Sequence, residues 1–599
     1  MMLKHCIMNI VELQTILQNR FDKYEWSVPP DLNLGILTTN YAFRAKDISP
    51  NPKEAAIKIA ELVQKYCDDL SLDVVVKSVG PYVNVEMGEK EYRELFDVNY
   101  GFKLEQKAEI LLIDYVGANV AKELHAGHMR NLNIGDSLRR ILSLKYKVIT
   151  DNHWGDWGVN MGTLIWGWKQ EGNLKEYEIN PIKELSRVYI WANSQKDIVE
   201  NYNSLVRDEF FKLEQKDSEN YNLWQKFILT TKQNLTKDLE LMKIPKFDLE
   251  QGESFYEPDM KLLFDFMEEY EIWQKDGLAR YFDFDSLVEK WCDLDEKLKS
   301  KISGFGRVYL ISSTGYTTYC FRDIAARLQW ARDHNVDIMV SVTDKTQRHN
   351  FDQAFAVICY LSNLIEFQKI QSKKVISRLQ WSNLVHIGYG FLTLKDGKMS
   401  SRKGNVLTLR EMFDNVKESA KISLTEKSPH ILESNLEDKS VKLALAALKW
   451  YDLNRGIEED LVLDIPQILK FEGNTGIYQL YTVARINSIF KKNMIGGDME
   501  INSWEFNLDQ FNVDEKILLK KMYILPLILE QICVSYKPHL LCNHLFELAT
   551  LINSWYAKFS VSNEQNLDRK KALICMCLRL KQHLYFGLDL LGIEAVDEM

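Results

Sequence analysis

The sequence predicts an α/β protein with a doubly wound parallel sheet, preceded by a small α+β domain and followed by an all-helical bundle. A continuous apolar run, AEILLIDYV at residues 108–116, is typical of a strand buried inside a parallel sheet. A glycine-containing turn and a helical pattern follow this strand directly, as they do at the opening of doubly wound folds. From Lys439 to the end the periodicity is helical, with few turn signals, and indicates a bundle.

The first 108 residues predict the α+β domain. At residues 51–54, an asparagine cap, a first-turn proline and the capping-box glutamate Glu54 come before an apolar helical stripe. Residues 73–77 and 82–87 then alternate as strands on either side of a Gly80-Pro81 turn. We therefore expect a helix followed by two strands in this domain.

Strand and helix patterns continue in the middle of the chain. The stretch from about 165 to 300 is aromatic, charged and helical in period, so we interpret it as an insertion between two halves of a nucleotide-binding fold. After it we expect the sheet to resume at Gly306–Ile311, with a helix at Asp323–His334, a strand at Asp337–Val342 and a helix at Phe351–Leu364. The predicted domains are residues 1–108, 109–430 with the insertion, and 431–599.

Composition limits the class of protein. The 599 residues are too many for one hydrophobic core. A net charge of −10 argues against a protein coated in nucleic acid, although local basic patches can still bind one RNA. Because no apolar run approaches the ~18 residues of a membrane span and the N-terminus lacks targeting features, we expect a cytoplasmic protein without membrane segments. The nine cysteines form no C-x-x-C pair, which indicates reduced thiols.

The most informative short motif is HAGH, residues 125–128, at the start of the helix after the apolar strand. Gly127 would let a nucleotide approach the backbone, and His125 and His128 would donate hydrogen bonds to phosphate oxygens in the transition state. The alternative is a pair of structural histidines at a helix start. A zinc site would need further ligands, for which the local sequence offers no obvious set.

A second motif, GKMSSRKGN at residues 397–405, places Lys398, Arg402 and Lys403 on a glycine-flanked loop. A cationic loop of this kind can close over a triphosphate and follow the departing pyrophosphate. A solvated basic turn is the alternative. A Walker A motif is excluded, because no glycine stands five residues before Gly397 and a methionine follows Lys398.

Together the two motifs resemble the signature motifs of the class I aminoacyl-tRNA synthetases. Longer segments, in order along most of the chain, resemble the arginyl-tRNA synthetase family. They are NVAKELHAGHMRNLNIGDSLRRIL, DNHWGDWGVNMGTL, FFKLEQKDSENYNLW, GESFY, TTYCFRDIAARL, KWYDLNRG, FEGNTGIYQLYTVARI and the terminal LLGIEAVDEM. GPYVNVEM in the N-terminal domain fits the additional domain of the family.

The resemblance implies a class I Rossmann-like catalytic domain with insertions, an additional N-terminal domain that contacts tRNA, and a helical anticodon-binding domain. It also implies an arginine–tRNA ligase, which forms arginyl-adenylate from L-arginine and ATP and transfers the arginine to the 3′-terminal ribose of tRNA(Arg), releasing pyrophosphate and AMP. We expect Mg²⁺ to arrive on ATP and no tightly bound protein metal. The expected partners are tRNA(Arg), ATP and L-arginine, and we expect a monomer.

The same resemblance implies which residues bind the substrate arginine. Asp323 matches the aspartate of the family that binds the guanidinium, Tyr319 a pocket tyrosine, and Gln347 a further pocket residue. Asn119 matches the contact to the α-amino and carboxylate groups. A planar, permanently charged guanidinium requires carboxylates and fixed acceptors, which also reject lysine.

Two further points concern the carboxylates of this pocket. Asp114 stands where many members have glutamate, so its carboxylate lies one methylene further from any amino group with which it pairs. For Asp323 the alternative is a helix cap or a salt bridge with Arg322 or Arg327.

For ATP, the resemblance implies binding by His125, Gly127, His128, Lys398 and Lys403. Catalysis would depend on His125, His128 and Lys398. Ser401 stands where other class I enzymes usually have lysine, so Lys398, Lys403 and Lys122 all remain candidates for neutralising the leaving pyrophosphate.

For tRNA, Tyr478, Tyr481 and Arg485 are spaced i, i+3, i+7 and could present one helical face to unstacked bases. Met599 matches a family position near the anticodon. The alternative is that both tyrosines are core residues of the bundle.

Three other functions compete with an active arginine enzyme. A class I synthetase for another amino acid is disfavoured by Asp323 and Tyr319. An inactive RNA-binding relative is disfavoured by the intact HAGH and KMSSR segments. A small-metabolite nucleotidyltransferase would not need the helical C-terminal domain.

Overall fold

The computed structural model describes residues 9–96, 103–291, 294, 296–364, 379–395, 407–427, 433–493 and 508–599. By their internal contacts the residues form two compact units. Unit 1 consists of residues 1–106, 417–455 and 465–599, and unit 2 of residues 107–416 and 456–464. The boundaries of the three predicted domains stay a prediction. None of the described helices is long and apolar enough to cross a membrane.

The N-terminal part of unit 1 combines two longer helices with a small antiparallel sheet. The helices are Ile10–Arg20 and Pro52–Asp69, with a short helix at Glu89–Arg93. Strands β1 (Leu37–Thr39), β2 (Val74–Val79) and β3 (Tyr82–Met87) pair in the order β1-β3-β2. The predicted helix and the two predicted strands are confirmed.

The capping box predicted at residues 51–54 is wrong. Asn51 does cap the helix, because its Oδ1 accepts a hydrogen bond from the N–H of Lys53 at 3.0 Å. The Asn51 N–H, however, donates to Ser49 Oγ at 3.2 Å, and the Ser49 hydroxyl donates to the Glu54 carboxylate at 3.0 Å. Ser49, two residues before the cap, therefore accepts the hydrogen bond from the Asn51 N–H that Glu54 would accept in a capping box.

The rest of unit 1 is helical, as predicted. Its helices include Glu433–Leu453, Ile465–Ile468, Gly476–Lys492, Val513–Tyr523, Leu525–Ser535, His539–Lys558 and Leu567–Leu590, and Leu409–Lys427 leads into it. Two of these helices place His544 and His583 in the core with their Nε2 atoms 3.0 Å apart. Burial, together with neighbouring cationic or imidazole groups, lowers the pKa of both imidazoles, that of His583 to about 3.

This buried pair predicts a loss of stability in mild acid. A histidine with an ordinary pKa of 6.5 when unfolded and a depressed one when folded stabilises the fold above pH 6.5. That contribution is lost as the pH falls toward the folded value. Between pH 7.5 and pH 5.0, each such histidine lowers the free energy of unfolding by roughly 2 kcal/mol.

The prediction is tested by thermal unfolding at pH 7.5 and pH 5.0. We expect His583→Gln to show a smaller fall in Tm between the two pH values than the wild type, with His334→Gln as a control that keeps the wild-type fall. Equal falls for the wild type and His583→Gln would mean that the pair does not titrate on unfolding.

Unit 2 contains a four-stranded parallel sheet. Its strands are β4 (Ile110–Asp114), β5 (Lys147–Asp151), β9 (Ile338–Asp344) and β10 (Leu384–Tyr389), in the order β10-β9-β4-β5. Its flanking helices are His128–Leu142, Tyr319–His334 and Arg348–Asn363. These elements confirm the predicted doubly wound arrangement. Because the strand order reverses between β4 and β9, the crevice at their carboxyl ends is the position where such sheets bind ligands.

The structure corrects one strand prediction. Residues 307–311 do form a strand, but it belongs to a separate antiparallel sheet with the order β6-β7-β8. These strands are β6 (Gln274–Asp276), β7 (Ala279–Asp283) and β8 (Arg307–Ile311). The reason lies in the pattern of exposure, because Arg307 and Tyr309 alternate outward while Val308 and Leu310 are buried. Such alternation is typical of an antiparallel sheet with one solvated face.

The stretch interpreted as an insertion is largely helical. Its helices are Val159–Glu171, Leu174–Ile179, Pro181–Ser194, Tyr202–Glu214, Ser218–Leu241, Glu257–Glu269, Phe284–Lys290 and Glu296–Ile302. Strands β11 (Leu392–Leu394) and β12 (Leu461–Leu463) pair in parallel next to the sheet. The buried Arg130 donates to the carbonyls of Gly390 at 2.7 Å and Glu459 at 2.6 Å, so the helix that begins at His128 secures the segment before β11.

Candidate active site

A cavity of about 490 Å³ opens at the carboxyl ends of β4 and β9, where the strand order reverses. Eight of the residues predicted to bind arginine or ATP line it. They are Asp114, Asn119, His125, Gly127, His128, Tyr319, Asp323 and Gln347. Residues separated by more than 200 positions in the sequence are therefore brought to one cavity.

The HAGH segment forms the start of the helix His128–Leu142, with Gly127 at the cap position. The backbone N–H of His125 donates to His128 Nδ1 at 3.0 Å, and that of Gly127 donates to His125 Nδ1 at 3.1 Å. Since both Nδ1 atoms accept hydrogen bonds, a neutral imidazole carries its proton on Nε2. Each ring is thus left with one N–H donor that the backbone does not use.

The electrostatic environment keeps both imidazoles neutral. Burial, with a smaller contribution from the neighbouring His125, lowers the pKa of His128 to about 3. The pKa of His125 is lowered by burial and by the charge of Lys122. The first N–H groups of the helix, at residues 128–130, already donate to the carbonyls of residues 125–127. The positive partial charge of the helix N-terminus lies beside the imidazole donors and favours a phosphate.

The HAGH segment is also paired with the chain that follows the second motif. Ala126 N–H donates to the Leu407 carbonyl at 3.0 Å, and Leu409 N–H donates to the Leu124 carbonyl at 2.9 Å. Lys398 and Lys403 themselves lie outside the described residues. The described residues that follow the motif nevertheless lie directly against the HAGH segment.

Asp323 lies in the first turn-and-a-half of the helix Tyr319–His334, with a side chain that is 10% exposed. Arg327 Nη1 donates to its Oδ1 at 3.1 Å. The salt bridge that was the alternative interpretation is therefore present with Arg327, whereas Arg322 forms its ion pair with Glu253 at 2.6 Å. The carboxylate both carries this salt bridge and lines the cavity, so the two interpretations are compatible.

Asp114 ends strand β4 and lies opposite Asp151 of β5 in the sheet register. Burial raises the pKa of Asp114 to about 6; the charge of Arg327 opposes this and that of Asp323 adds to it. The backbone N–H of His153 also hydrogen-bonds to this carboxylate and lowers its pKa. Asp114 is thus mostly ionised at neutral pH.

The other predicted arginine contacts surround these carboxylates. Tyr319 is half exposed, and the charge of Asp323 raises its pKa well above the usual value. Gln347 donates through Nε2 to Asp344 Oδ2 at 2.8 Å. Asn119 pairs with Gly155 through a backbone bridge, and a Cβ at Gly155 would lie 2.6 Å from Asn119 Oδ1. A glycine at 155 is therefore needed for Asn119 to occupy its place.

Sequence reasoning missed several residues that line the cavity, among them His153 and Asn131. His153 is 6% exposed, its two ring nitrogens have no hydrogen-bond partner among the described residues, and burial lowers its pKa to about 4. Asn131 accepts from Val116 N–H at 2.5 Å and donates to the Val342 carbonyl at 2.8 Å, so it joins the ends of β4 and β9. The signal for His153 was its position just after β5, at the edge where parallel strands place ligand-binding residues.

The residues predicted to bind tRNA lie in unit 1. Tyr478, Tyr481 and Arg485 are half-buried on the helix Gly476–Lys492, so neither tyrosine is a fully buried core residue. The guanidinium of Arg485 lies 4.4 Å from the centre of the Tyr481 ring and also donates to Asn553 Oδ1. Met599 ends the segment whose Asp597 carbonyl accepts from Asn487 of that helix.

Two family descriptions match this chain. They are tRNA synthetases class I (R), catalytic domain, over residues 95–465, and the DALR anticodon binding domain over residues 479–599. The chain is 28% identical over 583 residues to the arginine–tRNA ligase of Fusobacterium nucleatum subsp. nucleatum, covering 96% of this chain and 95% of that protein. It is 29% identical over 559 residues to arginine–tRNA ligase 1 of Bacillus thuringiensis subsp. konkukian, covering 91% of each.

Solved structures agree on the fold. The arginyl-tRNA synthetase of Plasmodium falciparum matches with a TM-score of 0.76 at 21% identity, covering 99% of this chain and 100% of that one. The arginyl-tRNA synthetase of Thermus thermophilus matches with the same TM-score at 19% identity and the same coverage. At these identities the likeness concerns the fold alone.

Proposed function

Because this chain belongs to the class I tRNA synthetases of the arginine type, we propose that its cavity holds arginine and ATP side by side. The enzyme activates L-arginine with ATP to arginyl-adenylate and transfers the arginine to the 3′-terminal ribose of tRNA(Arg), releasing pyrophosphate and AMP. One observation carries the proposal for the site: Asp323 and the two HAGH imidazoles line the same cavity.

Arginine is proposed to bind at the carboxylate end of the cavity. Asp323 pairs with the guanidinium beside the ring of Tyr319, and the ionised Asp114 pairs with the α-amino group. Asn119 and Gln347 supply fixed polar groups to the rest of the amino acid. Lysine would leave the fixed acceptors of this pocket unpaired, and sites of this kind discriminate strongly without editing.

ATP is proposed to bind at the HAGH end, with its phosphates on the helix N-terminus and close to Gly127. The Nε2–H groups of His125 and His128 donate to phosphate oxygens as negative charge builds up. Lys398 and Lys403 are proposed to add positive charge for the leaving pyrophosphate. Mg²⁺ is proposed to arrive with ATP and to be held mainly by phosphate oxygens and water.

The activation step needs little acid–base assistance. The carboxylate of arginine is ionised at neutral pH and can attack the α-phosphorus in line, while pyrophosphate leaves. The residues of the cavity then act by positioning the two substrates and by stabilising charge. Neutral imidazoles suit this role, because they donate hydrogen bonds without needing to lose a proton.

For tRNA, we propose that the accessible parts of the Tyr478 and Tyr481 rings contact unstacked bases and that Arg485 and Met599 complete this surface. Aromatic and guanidinium planes are the usual partners of single-stranded bases. The cytoplasmic location and the monomeric state remain predictions from the sequence.

The proposal is tested by ATP–pyrophosphate exchange across a panel of amino acids, with and without tRNA. We expect exchange with arginine alone, stimulated by tRNA. Exchange with another amino acid would place the chain among synthetases of different specificity. RNA binding without exchange or charging would contradict the proposed site.

A further inference from the structure

A buried guanidinium of the protein, that of Arg327, lies behind two carboxylates that line the cavity, Asp114 and Asp323. Arg327 follows Asp323 by one helical turn and is 1% exposed. Its Nη1 donates to Asp323 Oδ1 and to the Asp323 carbonyl, both at 3.1 Å, and its Nη2 donates to Ser341 Oγ of β9 at 2.9 Å. The side chain therefore links the helix that carries Asp323 to the central sheet.

Packing holds this guanidinium in one place. Its central carbon lies 5.3 Å from the centre of the Trp330 ring and 5.1 Å from that of Phe351, which itself lines the cavity. Arginine stacks well on aromatic faces and loses little further entropy when it is fixed there. A buried ion pair adds little stability compared with apolar residues of similar volume, so stability alone does not explain an arginine here.

The position of Arg327 also affects the charge of the two carboxylates that line the cavity. Its Nη2 lies 3.8 Å from Asp114 Oδ2, so one guanidinium stands between two carboxylates. With both carboxylates ionised, the three side chains carry a net charge of −1. That charge complements the single positive charge of an incoming side-chain guanidinium. Without Arg327, two like charges would share a poorly solvated site, which favours protonation of one of them.

We propose that Arg327 is a positioning residue for the amino-acid substrate: it holds Asp323 by Oδ1, which leaves Oδ2 for the substrate guanidinium, and it keeps Asp114 ionised for the α-amino group. Among the described residues, Arg327 pairs with Oδ1, and Nε2 of the neutral His153 lies 4.0 Å from the same oxygen without a hydrogen bond. The inference rests on the proposed function of the same cavity.

The test compares Arg327→Met with Arg327→Lys in ATP–pyrophosphate exchange in the presence of tRNA. Methionine fills a similar volume without charge, whereas lysine keeps the charge and loses the two-pronged hydrogen bonding. We expect KM for arginine to rise about 30-fold or more in Arg327→Met and less in Arg327→Lys, with KM for ATP within about two-fold of the wild type in both. Arg332→Met, on the same helix, removes a partly buried arginine that pairs with Asp259 and Asp333 and does not line the cavity, so it should leave both KM values unchanged.

A pH profile separates positioning from a purely structural role. In the wild type, kcat/KM for arginine should fall below about pH 6, where Asp114 takes up a proton. The titratable and charged groups that face Asp114 are Tyr319, Asp323 and Arg327 on one helix, Asp151 on β5, and Tyr256. The N–H of His153 also faces it. Arg327→Met should move the acidic limb of this pH profile about one unit to higher pH, because it removes the cation that favours ionisation of Asp114. Arg327→Lys should move the limb less.

Several outcomes would overturn the proposal. They are parallel increases in the two KM values, a lysine variant no better than the methionine variant, an unmoved acidic limb, or loss of the folded state in both variants. A wild type without arginine-dependent exchange would instead defeat the proposed function. An active wild type with variants of unchanged KM for arginine would defeat only the role of Arg327.

Discussion

Replacing Asp323 by asparagine is expected to lower kcat/KM for arginine by about 10³-fold, because truncating one partner of a buried charge pair costs several kcal/mol. The substitution keeps the shape of the side chain and removes its charge. It leaves both the substrate guanidinium and the internal Arg327 without their shared carboxylate. The loss should be seen mainly in KM for arginine, with KM for ATP much less affected, in exchange assays at saturating tRNA.

Asp333→Asn is the matched control for this variant. Asp333 lies on the same helix, is 41% exposed at its side chain, and pairs with Arg332 at the surface. Exposed pairs of this kind contribute about 1 kcal/mol or less, so the control should be close to wild type. An Asp323→Asn enzyme with an unchanged KM for arginine would mean that this carboxylate serves only its salt bridge with Arg327.

Replacing His128 by asparagine is expected to lower kcat by about 10² or more while tRNA affinity stays near normal, as is typical for loss of one donor to a developing negative charge. Asparagine Oδ1 can replace Nδ1 as the acceptor for the N–H of His125, so the turn is kept while the Nε2–H donor is lost. His128→Gln places an amide N–H near the Nε2 position and should recover part of the activity.

The design distinguishes a donor from a structural histidine. His349→Ala serves as the control, because His349 is an exposed histidine whose ring contacts Phe305 rather than the cavity. Equal losses in the asparagine and glutamine variants, together with weaker tRNA binding and a lower Tm, would mean that His128 only supports the helix start.

Local patterns predicted those parts of the fold that depend on neighbours in sequence. The apolar strand β4, the helix that begins at His128 and the strand β9 could be placed because their periodicity is strong and continuous. The strand at residues 307–311 was also found, but its partner was not. Its alternating exposure of Arg307 and Tyr309 was the available signal for an antiparallel sheet.

The candidate site was predictable where a motif or a resemblance named its residues. The spacing of Asp323 and Arg327 by four residues on one helix made their salt bridge foreseeable. What the spacing did not reveal is that the same carboxylate also borders the cavity, since this depends on where β9 and β4 place the helix. The pairing of His544 with His583, 39 residues apart on two helices, likewise follows from packing alone.

The most direct test of the account measures the affinity of arginine and of citrulline for the wild type and for Asp323→Asn. Citrulline has the shape of arginine but carries a neutral urea group in place of the guanidinium. We expect the wild type to prefer arginine and the variant to lose most of that preference, with a coupling of about 2 kcal/mol or more between the two changes. If the preference for arginine were the same in both proteins, Asp323 would not be the partner of the substrate charge.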